Sequence, residues 1–133
     1  MNLQVGVKVV LRNKKGEILI LKRSKEKYPG VNNPWDIPGG RIDKGTSLEA
    51  NLEREVFEET GLVLGPNFKL CAAQDILKED IHVVRLTYTG EATGEIILSE
   101  EHTEYKWITV EDLLSMEFLD RYVKELLVRG RVN

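Results

Sequence analysis

The chain has 133 residues, of which 41% are hydrophobic and 31% charged, and a formal net charge of −3, the balance of an ordinary globular domain with one hydrophobic core. No apolar run approaches the ~18–20 residues needed to span a membrane, and the negative charge argues against a protein that coats nucleic acid. The single Cys71 lacks a disulfide partner and a CxxC spacing, which predicts a small packing residue in a reducing, cytoplasmic setting.

At the N-terminus, "MNLQVGVKVVLRNKKG" alternates and then turns, unlike a signal peptide. Val5, Val7, Val9 and Leu11 recur with a period of two and predict a half-buried strand. "NKKG" (13–16) supplies turn chemistry, and "EILILKR" (17–23) reads as the returning strand of a hairpin. Basic residues crowd this arm: Arg12, Lys14, Lys15, Lys22, Arg23, Lys25 and Lys27 face only Glu17 and Glu26. A loop rich in Pro, Gly and Asn follows over 25–34, then a short extended "WDI" (35–37). In "PGG" (38–40), adjacent glycines let the backbone turn tightly and approach a ligand.

A helix is predicted over 47–60. Thr46 followed by Glu49 has the spacing of a capping box, and Gly61 suits a left-handed stop. Further strands are predicted at 68–77, 81–90, 94–98 and 104–110. "TVED" (109–112) reads as a second capping box, and Leu119, Val123, Leu126 and Leu127 give the last helix an apolar side. His82 reads as a structural strand histidine and His102 as a surface residue. No repeat or linker divides the chain, so residues 1–133 read as a single domain of the α/β class with a mixed sheet.

The acidic segment "REVFEETGL" (54–62) carries the chemistry. Leu48, Leu52 and Val56 form a core-facing stripe at steps of four. Glu55 follows Leu48 by seven residues, and Glu59 follows Leu52 by seven, so these acids continue the stripe instead of opposing it. Carboxylates turned toward the protein body are costly unless paired or metal-bound. Two such charges ~4 Å apart repel by roughly 4 kcal/mol at an effective dielectric of about 20. Arg54 pairs with Glu58 at i+4, but one arginine does not neutralise three acids. Hard oxygen donors at this density suit Mg²⁺ or Mn²⁺; the competing reading is a structural acidic patch relieved by Arg54 and water.

"GGRIDKGTSLEANLEREVFEETGL" resembles the signature of the Nudix hydrolases, G-x5-E-x7-R-E-U-x-E-E-x-G-U with U aliphatic. Gly40, Arg54, Glu55, Val56, Glu58, Glu59, Gly61 and Leu62 match, and Thr46 stands where the signature has a glutamate. The resemblance implies an α/β/α sandwich and Mg²⁺-dependent hydrolysis of a nucleoside diphosphate linked to another group, with Mn²⁺ as a substitute. It carries metal binding onto Gly40, Glu55, Glu58 and Glu59. The proton-accepting role falls on the box helix, at Glu55 or Glu58, or on a later loop. In that loop, "SEEHTEYKW", Glu101 lies six residues before Trp107, where similar small enzymes have a further metal-associated glutamate; Glu100 and Glu104 are alternatives.

Arg23 and Arg41 suit phosphate oxygens, which guanidinium binds bidentately. Trp35 either stacks on a base or closes a core edge. Small size and the pattern around Arg23 resemble the nucleoside triphosphate pyrophosphohydrolases, including those that remove oxidised nucleotides. Dinucleoside polyphosphates and nucleotide sugars are the alternative substrates, and Thr46 alone points to a non-catalytic nucleotide-sensing module. Homodimers are common in the family; neither a membrane nor a nucleic-acid polymer is implied as partner.

Overall fold

In the computed structural model, which describes residues 1–132, strand β1 (Asn2–Leu11) occupies the middle of the larger sheet. It pairs in parallel with β7 (Ile81–Gly90) along its whole length, from Asn2↔Ile81 to Leu11↔Gly90, and antiparallel with β4 (Gly39–Arg41) on its other side. With β6 (Lys69–Leu77) at the edge, the order is β4-β1-β7-β6, a mixed sheet as expected. A second sheet has the order β3-β2-β9, formed by β3 (Trp35–Asp36), β2 (Ile18–Arg23) and β9 (His102–Ile108). Two residues each from β5 (Val63–Leu64) and β8 (Ala92–Thr93) complete the pairing.

The predicted hairpin does not form. Asn13 builds the turn, its Oδ1 accepting from the Lys15 and Glu17 N–H groups, but β1 and β2 then part after a single bridge, Arg12↔Ile18. The hydrogen-bonding edges of β1 are already taken by β4 and β7, so β2 leaves the turn into the other sheet.

Helix α1 (Leu48–Thr60) covers one face of these sheets, and α2 (Val110–Leu114) with α3 (Arg121–Val128) covers the other. Val7, Val9 and Leu11 pack with Leu19 and Leu21 against Leu52 and Val56 of α1. Val10, Ile18 and Ile20 face the opposite way, toward Leu113, Val123 and Leu126. The architecture is therefore the α/β/α sandwich. β1 is buried on both faces over Gly6–Leu11, not on one: a period of two picks out the α1 side and misses the second core behind it.

Three local expectations need correction. Ser47, not Thr46, caps α1: its Oγ accepts the Ala50 N–H at 3.1 Å, and Thr46 is exposed. Residues 94–98 form no strand; the Ile97 and Ser99 N–H groups donate to the carbonyls of Thr60 and Glu59 at the end of α1, at 2.8 and 3.3 Å. β9 starts two residues earlier than predicted, at His102, and ends at Ile108. Thr109 caps α2 by accepting the Asp112 N–H, and Gly61 ends α1 at φ 74°. Cys71 is a free, half-buried thiol packed beside the α3-side core. Among the described residues no helix is long and apolar enough to cross a membrane.

Candidate active site

A cleft of about 510 Å³ lies across β1, β4 and β7, between the C-terminal half of α1 and the turn entering β9. Its acidic side comes from Glu55 and Glu59 of α1 and from Glu101. Because Glu59 continues the stripe of Leu52, it points inward and is only 6% exposed. Its Oε1 accepts the Gly39 N–H at 3.0 Å. Burial pushes the Glu59 carboxyl up to about 7; Lys8 and the Gly39 N–H resist this rise, while Glu55 and Glu101 add to it. Burial raises Glu55 as well, against the pull of Arg54. Arg54 Nη1 lies 3.2 Å from Glu55 and 3.7 Å from Glu58, so the guanidinium spaces the two acids along the helix.

The glycine pair is what lets this wall close in. A Cβ on Gly39, at φ 140°, would lie 2.0 Å from the Val7 carbonyl oxygen, and one on Gly40 would meet Glu55 Oε2 at 2.7 Å. Any side chain at residue 40 would displace the carboxylate.

On the basic side stand Arg23 and Arg41 with Lys8 and Arg85. Asp36, 2% exposed, organises three of them: it pairs with Lys8 at 3.2 Å and with Arg23 and Arg85 at 3.0 Å each. Burial alone would raise the Asp36 carboxyl, but Lys8, Arg85 and Arg23 hold it well below the ordinary carboxylate range. Three cations on one carboxylate leave a positive surplus, part of which Arg85 shares with Asp120 at 3.2 Å. Arg23 also stacks 5.1 Å from the centre of the Tyr28 ring. Arg41, exposed, hydrogen-bonds Gln4 across the sheet.

Glu101 is followed by His102, which is 9% exposed and lines the same cleft. One ligand atom each of Glu59, Glu101 and His102 lie within 4.8 Å of one another. Burial, and then Lys8 and Arg23, push the imidazole down to about 4, so it is neutral at physiological pH. Clustered carboxylate oxygens, a buried carboxyl forced upward and a backbone kept bare at Gly40 fit a divalent cation.

A model described as the NUDIX domain matches residues 2–127. The chain belongs to the Nudix family. An 8-oxo-dGTP diphosphatase of Buchnera aphidicola is 33% identical over 119 residues, 88% of this chain and 83% of that one. The nucleoside triphosphatase NudI of Escherichia coli is 27% identical over 128 residues, covering 86% and 89% of the two chains. Among solved structures, a MutT protein from Methanosarcina mazei superposes with a TM-score of 0.81 at 32% identity, over 96% of this chain and 92% of that one. A MutT Nudix hydrolase from Burkholderia pseudomallei gives 0.83 at 25% identity over 100% of both chains. With these relatives, the chain is an enzyme of the Nudix hydrolase type.

Of the residues named from the Nudix resemblance, the fold brings Gly40, Glu55, Glu59, Glu101, Arg23 and Arg41 into one cleft. It does not bring Glu58 or Trp35 there. The Glu58 side chain is 58% exposed and meets Arg54 at the rim of the helix. Trp35 is buried in the α3-side core with the Lys22 and Lys106 ammonium groups near its ring, at 5.9 and 5.1 Å, the core-edge position of the two considered. Glu100 and Glu104 pair outward, with Lys27 and Lys22.

His102 corrects the sequence reading: it is a cleft residue, not a surface one, because β9 begins there opposite Arg23. Lys8, Asp36 and Arg85 were not singled out. Their signal is a charge inside an apolar strand, "VGVKVVL" and "HVVRLTY", with a lone Asp36 to receive both.

Proposed function

We propose that the chain, acting as one cytoplasmic Nudix domain, hydrolyses a nucleoside triphosphate to the monophosphate and pyrophosphate, the base being normal or oxidised. Mg²⁺ is the cation in this reading and Mn²⁺ its substitute. The observation that carries it is the cleft in which an acidic wall faces a basic one, and the activities for which the Buchnera and Escherichia relatives are named support a triphosphate as substrate.

Glu55, Glu59 and Glu101, with the Gly40 carbonyl, are the groups to hold the cation from within the cleft, and Glu58 would join them only by turning in from its exposed place beside Arg54. When bound, it supplies neutralisation of phosphate charge and Lewis acidity toward the attacking water. Arg23 and Arg41 grip polyphosphate oxygens, and Arg23 is held ready by Asp36 on one side and Tyr28 on the other. Water attacks phosphorus, the bridging P–O bond breaks with its electron pair leaving on pyrophosphate, and the water proton passes to a carboxylate. Glu55, Glu58 and Glu101 are the candidates for that acceptor. Glu55 is favoured because it lines the cleft, half-buried, with its carboxyl raised.

The test is a product assay with Mg²⁺ over normal and oxidised triphosphates, dinucleoside polyphosphates and nucleotide sugars. Wild type should release pyrophosphate from a triphosphate, and Glu55→Gln should lose about 100-fold or more, with Glu58→Gln run beside it. Cleavage confined to dinucleotides or nucleotide sugars would overturn the substrate class. Undiminished turnover by Glu55→Gln would remove that residue as proton acceptor.

A further inference from the structure

His102 lines the cleft from outside the Nudix signature, and neither the metal-binding nor the phosphate-binding roles assigned so far involve it. Its Nδ1 is buried and has no hydrogen-bond partner among the described residues. Burying such a group without a partner is costly, so the site as built asks for an occupant. A water molecule would answer only the ring, whereas a cation would draw on the ring and on the Glu59 and Glu101 oxygens together.

The main chain that carries the three groups is also cross-tied. The Ser24 N–H donates to the Glu101 carbonyl at 2.8 Å, and the His102 N–H donates to that of Ser99 at 3.3 Å. The Ser99 N–H in turn donates to the Glu59 carbonyl at 3.3 Å. The turn into β9 is thereby tied both to β2 and to the end of α1, which fixes the backbone from which the three side chains converge.

We infer that His102 is a nitrogen ligand to a divalent cation shared with Glu59 and Glu101, and that it tightens binding of Mn²⁺, Co²⁺ or Zn²⁺ more than that of Mg²⁺. Imidazole is a borderline donor that suits first-row transition ions, whereas Mg²⁺ takes oxygen and keeps its waters. The carboxylates bind either ion, and His102 supplies the difference. This rests on the reading of the acidic wall as a cation site.

The experiment uses nucleotide-free protein: calorimetric titration with Mg²⁺, Mn²⁺ and Co²⁺, and pulsed electron paramagnetic resonance of the Mn²⁺-loaded form, for wild type, His102→Gln and Glu59→Gln. Wild type should show nitrogen hyperfine coupling to Mn²⁺ that His102→Gln lacks. Loss of the ring should weaken Mn²⁺ and Co²⁺ by about tenfold or more and Mg²⁺ by less than about threefold, with Glu59→Gln weakening all three. Mn²⁺ bound by wild type without nitrogen coupling would overturn the inference and leave the carboxylate site standing. Equal weakening of Mg²⁺ and Mn²⁺ in His102→Gln would overturn the selectivity. No ion bound by wild type would sink the acidic-wall reading itself. Should His102→Gln misfold by circular dichroism, the wild-type coupling decides the ligand question alone.

Discussion

Replacing Glu59 by Gln should stabilise the metal-free protein at neutral pH, although it removes a residue of the acidic wall. The Glu59 carboxyl is driven from its ordinary 4.5 to about 7 by burial. A group raised on folding contributes stability that is fully present below its unfolded value and lost as pH rises through its folded one. Between pH 4.5 and 7, therefore, metal-free wild type loses up to about 3 kcal/mol through this one group. Glutamine keeps an oxygen for the Gly39 N–H and carries no charge, so it escapes the loss. For a chain of this length that difference corresponds to roughly 10 °C in melting temperature.

His102 works in the opposite direction. Its folded value near 4 lies below the ordinary 6.5, so its contribution grows as pH rises through that window. It is common to both proteins, and the quantity to measure is the difference between them. Thermal melts in EDTA should show Glu59→Gln and wild type nearly equal at pH 4.5 and the variant about 10 °C higher at pH 7.5. Millimolar Mg²⁺ or Mn²⁺ should then raise wild type and leave the variant almost unmoved. A variant less stable than wild type by the same amount at both pH values would refute the reasoning, since the carboxylate would then carry no charge cost.

Gly40→Ala places a Cβ 2.7 Å from Glu55 Oε2; divalent-cation affinity by calorimetry should fall about tenfold while stability drops by less than about 2 kcal/mol, and unchanged affinity would count against Glu55 as a ligand. Asp36→Asn leaves Lys8, Arg23 and Arg85 without their shared anion and should cost about 3–5 kcal/mol in urea unfolding at pH 7; a loss under about 1 kcal/mol would mean that the cations find other partners. Phe118 has φ 62° and is 60% exposed. There, Phe118→Gly should be neutral or stabilising by up to about 1 kcal/mol and the β-branched Phe118→Val destabilising by about 1–2, measured by the same unfolding.

What could be read in advance follows the range of the interactions. The inward turn of Glu55 and Glu59 was visible because it depends on spacing within one helix, and the caps at Thr109 and Gly61 because each involves a few adjacent residues. The α1 cap was misplaced by one residue where two hydroxyl side chains, Thr46 and Ser47, adjoin. Strand pairing was harder. The turn at Asn13 looks like that of a hairpin in any local window, and only β7, far along the chain, decides that β1 is already occupied. His102 sits in a polar stretch that reads as surface until Arg23 is known to lie opposite. The Asp36 assembly draws its members from β1, β2, β3 and β7, so no short segment contains enough of it to be recognised.

The placement of β1 sets the order in which the chain can assemble. It is synthesised before both of its partners: its antiparallel neighbour begins at Gly39 and its full-length parallel partner at Ile81. Long-range parallel pairing is slow, and apolar strands that wait for it are exposed to association with other chains. Through that interval β1 is an apolar segment interrupted at one point by a charge, "VGVKVVL". Lys8 thus has an early task before it meets Asp36, as a gatekeeper that disfavours stacking of nascent strands on one another. Its ammonium group is sequestered only when Asp36 arrives beside it, so the charge that protects the unfinished chain becomes an internal anchor of the finished one.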